Sequence, residues 1–155
     1  MSARSPKAQL DSFLAKFTSG VAADARRVLV KTRKLVPGAV ELVYDNYNAL
    51  AIGFGPTDRA SEAVLSIAVF PKWVTLCFLQ NGPKLRDPKR LLRGSGNVVR
   101  HVRLQSPADL DAPDIQALIQ DALSRARVRI DPAGRRRLII KSVSAKQRPR
   151  RPPAR

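Results

Sequence analysis

The sequence predicts an α+β fold: two N-terminal helices and one C-terminal helix packed on an antiparallel sheet of about four to five strands. Three observations predict it. Apolar residues recur at helical spacing up to Val36, at a spacing of two between Val40 and Leu79, and at helical spacing again from Ile115 to Leu123. The candidate strands follow one another through short connections, with no room for a crossover, so the sheet reads as an antiparallel meander. Breakers separate the three regions, with Pro37-Gly38 after the first and Ser106-Pro107 before the last.

Leu10, Phe13, Leu14 and Phe17 form the stripe of a first short helix, which Thr18-Ser19-Gly20 interrupts. Val21, Ala25, Val28, Leu29, Leu35 and Val36 give a second helix its buried side. Arg26, Arg27, Lys31, Arg33 and Lys34 line its other side, the last three near the C-terminus, where cations offset the helix dipole. Leu50, Ile52 and Phe54 alternate as a strand before the turn Gly55-Pro56-Thr57-Asp58. Leu65, Ile67 and Val69 follow, then the tight Pro71-Lys72 connection, then Val74, Leu76 and Phe78. Residues 84–97 read as a loop around a short helical turn begun by Asp87-Pro88. Val98 to Leu104 adds another strand. Ser106-Pro107-Ala108-Asp109 resembles a capping box, and Asp111 and Pro113 repeat the start signal for a helix buried through Ile115, Leu118, Ile119, Ala122 and Leu123.

The domain proper is expected to span residues 1–130, with 131–155 as a basic Pro/Arg-rich tail. Within the tail, residues 138–143 have the makings of one short strand, and the final Pro- and Arg-rich stretch is expected not to pack. Charge divides along the same line. The chain carries a formal +17, yet residues 1–124 hold 17 Lys and Arg against 11 acids, while residues 125–155 hold 12 against Asp131 alone. Such a run attracts any polyanion, and it equally suits a merely solubilising tail.

Several classes are set aside. No window approaches the roughly 18 to 20 apolar residues of a membrane span. Residues 1–17 lack an apolar leader segment and a small-residue cleavage site, so no membrane partner and a cytoplasmic location are expected. One cysteine, Cys77, makes neither a disulfide nor a cysteine zinc cluster, and inside TLCFL it reads as a small buried hydrophobe. His101, the sole histidine, reads as a surface residue. No ordered Ser/His/Asp set, metal-ligand spacing or nucleophile elbow is present. No catalytic residue, cofactor or metal ligand is therefore assigned, and a non-enzymatic protein is expected.

The candidate ligand residues gather around Gly94-Ser95-Gly96, where glycine permits positive φ and lets backbone N–H groups approach an anion. A tight turn feeding the next strand is the plainer reading. In the strand alternation Arg100 shares a face with Val98, Val102 and Leu104. If that face is buried, Arg100 needs a carboxylate, for which Glu41, Asp45 and Asp87 are candidates, or a bound anion. Lys84 lies nearby in sequence. Tyr44, Tyr47 and Trp73, with Glu41, have the character of a small pocket mouth, and equally of an ordinary core or sheet edge.

The segments Val36–Gly55, Trp73–Phe78, Leu85–Val102 and Arg135–Pro152 together resemble the YdhG-like domain of unknown function. The most specific part is the pattern Leu85, Asp87, Pro88, Leu91, Leu92, Gly94, Gly96, Arg100 and Val102. Where that family usually has Lys after the second glycine, this chain has Asn97. The resemblance implies an α+β fold over roughly residues 8–150. Some members are described as frataxin-like intracellular iron chaperones, which implies iron delivery as one alternative. The acids here are scattered, however, and Asp109, Asp111 and Asp114 explain themselves as helix-start charges.

The leading expectation is thus a binding protein for a small anionic ligand, through Arg100, Lys84, Gly94, Ser95, Gly96, Glu41, Tyr44 and Trp73. The alternative is nucleic-acid binding without sequence preference, through Arg135, Arg136, Arg137, Lys141, Lys146, Arg148, Arg150 and Arg151. The tail offers no aromatic residue for base stacking. The oligomeric state is left open.

Overall fold

The computed structural model describes residues 4–153. Ser5 starts the first helix: its hydroxyl accepts the Ala8 N–H at 3.1 Å, and Pro6 takes the first helical position, where no donor is lost. This helix, α1 (Pro6–Leu14), ends just before Thr18, which starts the next one by accepting the Val21 N–H at 3.3 Å. Ser19 and Gly20, expected to break the chain, are instead the first turn of α2 (Ser19–Leu35). Pro37 cannot continue the helix, and Gly38, at φ 80°, turns the chain toward the sheet.

The strands are β1 (Val40–Asp45), β2 (Leu50–Gly55), β3 (Leu65–Val69), β4 (Val74–Phe78), β5 (Arg100–Leu104) and β6 (Arg137–Val143), arranged β5-β4-β3-β2-β1-β6. The first five form the antiparallel meander that short connections dictate. α3 (Pro113–Arg125) lies between β5 and β6 in sequence. The α+β class holds, with three helices, but the sheet is six-stranded and mixed rather than wholly antiparallel.

All three helices lie on one face of the sheet. Val43, Ile52, Phe54, Leu65, Ile67, Leu76 and Phe78 meet Leu14 of α1, Ala25 and Leu29 of α2, and Leu118 and Ile119 of α3 in a continuous core. Each fully buried Leu, Ile or Phe there contributes on the order of 1.5–3 kcal/mol. The opposite face carries smaller and more polar residues in cross-strand register: Tyr44, Ala51, Ala68, Thr75 and Arg103 form one row across five strands.

The sixth strand comes from the segment expected to be a loose tail. β6 runs parallel to β1, from Val40 beside Arg137 to Asp45 beside Val143, with one irregularity at Val43/Tyr44. The reason is the edge of β1. Val40, Glu41, Leu42 and Val43 are buried, so their outward backbone groups need partners that water does not supply. Leu138 and Ile140 add apolar surface to the core rim as they dock. Order therefore continues well past Arg129.

Two local expectations also change. Asp87-Pro88 starts no helix: the Asp87 carboxylate accepts the Leu91 and Leu92 N–H groups at 2.8 and 2.9 Å, closing a non-helical turn. Ser106 makes no side-chain cap. Pro107–Asp111 is a 3₁₀ turn in which Asp109 reaches back to the Gln105 N–H at 2.7 Å, and Asp111 pairs with Lys31 at 2.8 Å.

Candidate nucleic-acid interface

Asp45 ends β1 and lies beneath the turn that joins it to β2. Its buried carboxylate needs cations, and two segments distant in sequence supply them. Arg150 approaches Oδ1 at 2.9 Å, and Lys16, from the α1–α2 link, lies 3.4 Å from Oδ2. The nitrogen that meets Asp45, Nη2, also reaches Asn46 O, Nη1 donates to Tyr47 O at 3.3 Å, and the buried Nε has no partner among the described residues. The Arg150 guanidinium stands 5.7 Å from the Phe17 ring centroid.

Around this anchor the backbone of residues 144–153 is tied down as a strap. The Ser144 N–H donates to Asp45 O and the Arg148 N–H to Tyr47 O, each at 2.9 Å. The Gln147 side chain donates to Asp45 O at 3.0 Å and accepts from Lys16 Nζ, and Arg151 Nε donates to Lys16 O at 3.1 Å. The strap thus crosses the end of the sheet where the β1–β2 and β3–β4 turns lie.

That crossing brings cations and aromatic rings together. Arg148 stands over the Tyr47 ring at 5.6 Å, and Arg103 of β5 over Trp73 at 4.1 Å. Trp73 in turn stacks on Phe70 at 5.4 Å with a 28° angle between rings. A cleft of about 790 Å³ opens between the strap and the β3–β4 turn, bounded by Phe70, Lys72 and Trp73 on one side and Arg148, Arg151 and Pro152 on the other. Lys72, Arg103, Arg148 and Arg151 form no ion pair among the described residues.

The residues expected to bind a small anion do not converge. Arg100 does sit on the helix-covered face, in register with Phe78. Neither Glu41, Asp45 nor Asp87 reaches it. It begins an edge strand, so its long side chain turns back along the rim, and Nη1 donates to the Val99 carbonyl at 2.9 Å and to the Gly96 carbonyl. The guanidinium holds its own loop. Gly94 takes the positive φ expected of it, 116°, while Ser95, Gly96 and Lys84 are exposed. Trp73 sits beyond the opposite end of β4, about 17 Å away along the strand at ~3.4 Å per residue. Glu41 and Tyr44 are on β1, four strand spacings or about 19 Å across the sheet.

Glu41 is instead a buried structural acid, held by Arg33 at 2.9 Å and Arg136 at 3.5 Å. It closes one end of a separate cleft between α1, α2 and β6. Tyr44 keeps its hydroxyl buried with no hydrogen-bond partner among the described residues. His101 is half-buried, its backbone bridged to Arg93. Cys77 is half-buried rather than fully buried, and desolvation pushes its thiol up to about 11, so it stays protonated at neutral pH.

The eight expected nucleic-acid residues separate into two groups. Arg150 is taken out of solvent by Asp45, Arg136 is engaged with Glu41, and Lys141 donates to Asp58 O at 3.0 Å. Arg135, Arg137, Lys146, Arg148 and Arg151 remain exposed. Phe70 and Lys72 line the cleft with the last two, and Tyr47 and Arg103 stand beside it through Arg148 and Trp73. The sequence offers Tyr47 as part of a pocket mouth with Tyr44, Trp73 and Glu41, and nothing in it links Phe70, Lys72 or Arg103 to the tail. Among the described residues, no three His, Cys, Asp or Glu side chains gather as a metal site would require, and no helix is long and apolar enough to cross a membrane. No family model, curated protein or solved structure matches the chain.

Proposed function

We propose that the protein binds nucleic acid without sequence preference, through the cationic end of the sheet that the strap completes. The observation that carries this reading is the cleft itself: Lys72, Arg148 and Arg151 line one opening, Arg103 stands beside it over Trp73, and none of the four is ion-paired among the described residues. Unpaired cations gathered at one end of the sheet suit a phosphate backbone. They contribute affinity through counterion release, which does not depend on base identity. The formal +17 of the whole chain adds a long-range field that draws a polyanion in.

The reading centred on Arg100 receives less support, because its guanidinium already serves the carbonyls of Gly96 and Val99. Binding of a labelled oligonucleotide, followed by anisotropy over a range of salt concentrations, tests the proposal. About three to four phosphate contacts give a slope near −2 to −4 in log K against log salt. The paired charge reversals Arg148→Glu and Arg151→Glu lower affinity and flatten that slope. Affinity indifferent to salt and to both reversals contradicts the reading.

A further inference from the structure

Resting on that function, we infer that the partner is a single-stranded polynucleotide whose unpaired bases stack on the ring and guanidinium surfaces at the β1–β2 and β3–β4 turns. A phosphate-binding surface needs only cations. This one also has three aromatic rings in the two turns that the strap crosses, and two of them have an arginine guanidinium over the ring, at 4.1 and 5.6 Å. Phe70 stacks on Trp73 in the β3–β4 turn, and Arg103 of β5 lies over the same Trp73 ring. Both flat rings and guanidinium planes accept bases, so an unpaired nucleobase adds to such a group.

Tyr47 supplies the second platform. It is 49% exposed, its backbone carbonyl accepts from Arg148 and Arg150, and the Arg148 guanidinium stands over its ring. The cleft between the platforms is walled partly by Pro71, Pro149, Pro152 and Pro153, which offer no backbone N–H for reading base edges. Stacking tolerates every base, which agrees with binding blind to sequence. Duplex DNA keeps its bases inside the stack and presents only their edges, so it cannot use the platforms.

Trp73 is the only tryptophan, so its emission reports on this site alone. Three probes of about ten nucleotides separate the terms: oligothymidylate, an abasic strand of equal charge, and a duplex. The expected result is quenching of Trp73 by oligothymidylate alone, with affinity about tenfold above that for the abasic strand. Tyr47→Ala, on an exposed turn, removes about a factor of ten for oligothymidylate and lowers abasic-strand binding far less, with an unaltered melting temperature as the folding control. Equal affinity for the thymidylate and abasic strands, with Trp73 emission unmoved, overturns the stacking inference while nucleic-acid binding stands. Failure of all three probes to bind overturns both.

Discussion

Arg150 and Asp45, more than a hundred residues apart in sequence, form an ion pair at 2.9 Å with both side chains almost wholly withdrawn from solvent. A buried charge of either sign is stable only with its partner in place, so this contact commits the C-terminal strap to the body of the fold. Arg148 and Arg151 flank it and point outward. The buried arginine is an anchor, and its neighbours are the working cations.

Removing Arg150 leaves the buried Asp45 carboxylate with Lys16 alone, 3.4 Å away. Arg150→Ala is expected to cost about 3 kcal/mol, most of it from the under-compensated Asp45 carboxylate. Chemical denaturation measures the loss. Restoring part of it with the double variant that also carries Asp45→Asn shows that the pair, rather than arginine packing alone, is responsible.

Gly38 tests the neighbouring segment. A Cβ at this position meets Asp131 O at 2.0 Å, and the φ of 80° already disfavours any side chain. Gly38→Ala is expected to destabilise by at least ~2 kcal/mol, read as a lowered thermal midpoint. An unchanged midpoint contradicts the packing of residues 131–134 on the end of α2.

Truncation before β6 strips a strand as well as charge. A chain ending at residue 136 leaves the β1 edge open, beside the buried Val40, Leu42 and Val43. Such a chain is expected to show a lower denaturant midpoint and to self-associate in light scattering. Loss of nucleic-acid binding on truncation therefore says little about direct contacts, and charge reversal at Arg148 and Arg151 is the cleaner test.

The Cys77 thiol gives a pH prediction. Its folded value is about 11 against an ordinary 9.0, because burial penalises the thiolate. Folding then favours the protonated form, so this contribution is intact below pH 9 and is lost as pH rises toward 11, at about 2 kcal/mol. At pH 8 a disulfide reagent is expected to modify Cys77 only slowly in the native state and rapidly in denaturant. Fast native labelling contradicts the burial.

Much of the body was legible in the sequence. The change of period at Val40 marked the end of the first two helices, and Leu50/Ile52/Phe54, Leu65/Ile67/Val69 and Val74/Leu76/Phe78 are the buried faces of β2, β3 and β4. The C-terminal region was harder to read because composition and tertiary demand point opposite ways. Arg, Pro and Lys around Leu138 and Ile140 look like an unpacked tail, and only the unfilled edge of β1 turns them into a strand. Arg150 is indistinguishable from Arg148 in sequence. Asp45 makes the difference, and no local pattern announces which arginine it selects. The cleft was hidden for the same reason, since Tyr47, Phe70, Trp73 and Arg103 lie in three separate segments that only the strap and the sheet bring to one end.

Hydrogen exchange at the backbone amides of Ser144, Arg148 and β6 tests most directly whether the basic C-terminal segment is a built part of the fold. Those of Ser144 and Arg148 donate to Asp45 and Tyr47, and β6 pairs with β1. They are expected to be protected and to open with the same free energy as amides of the central strands β2 and β3. Exchange at free-chain rates from residue 137 onward, while those central amides stay protected, would contradict the strap and the cleft that depends on it.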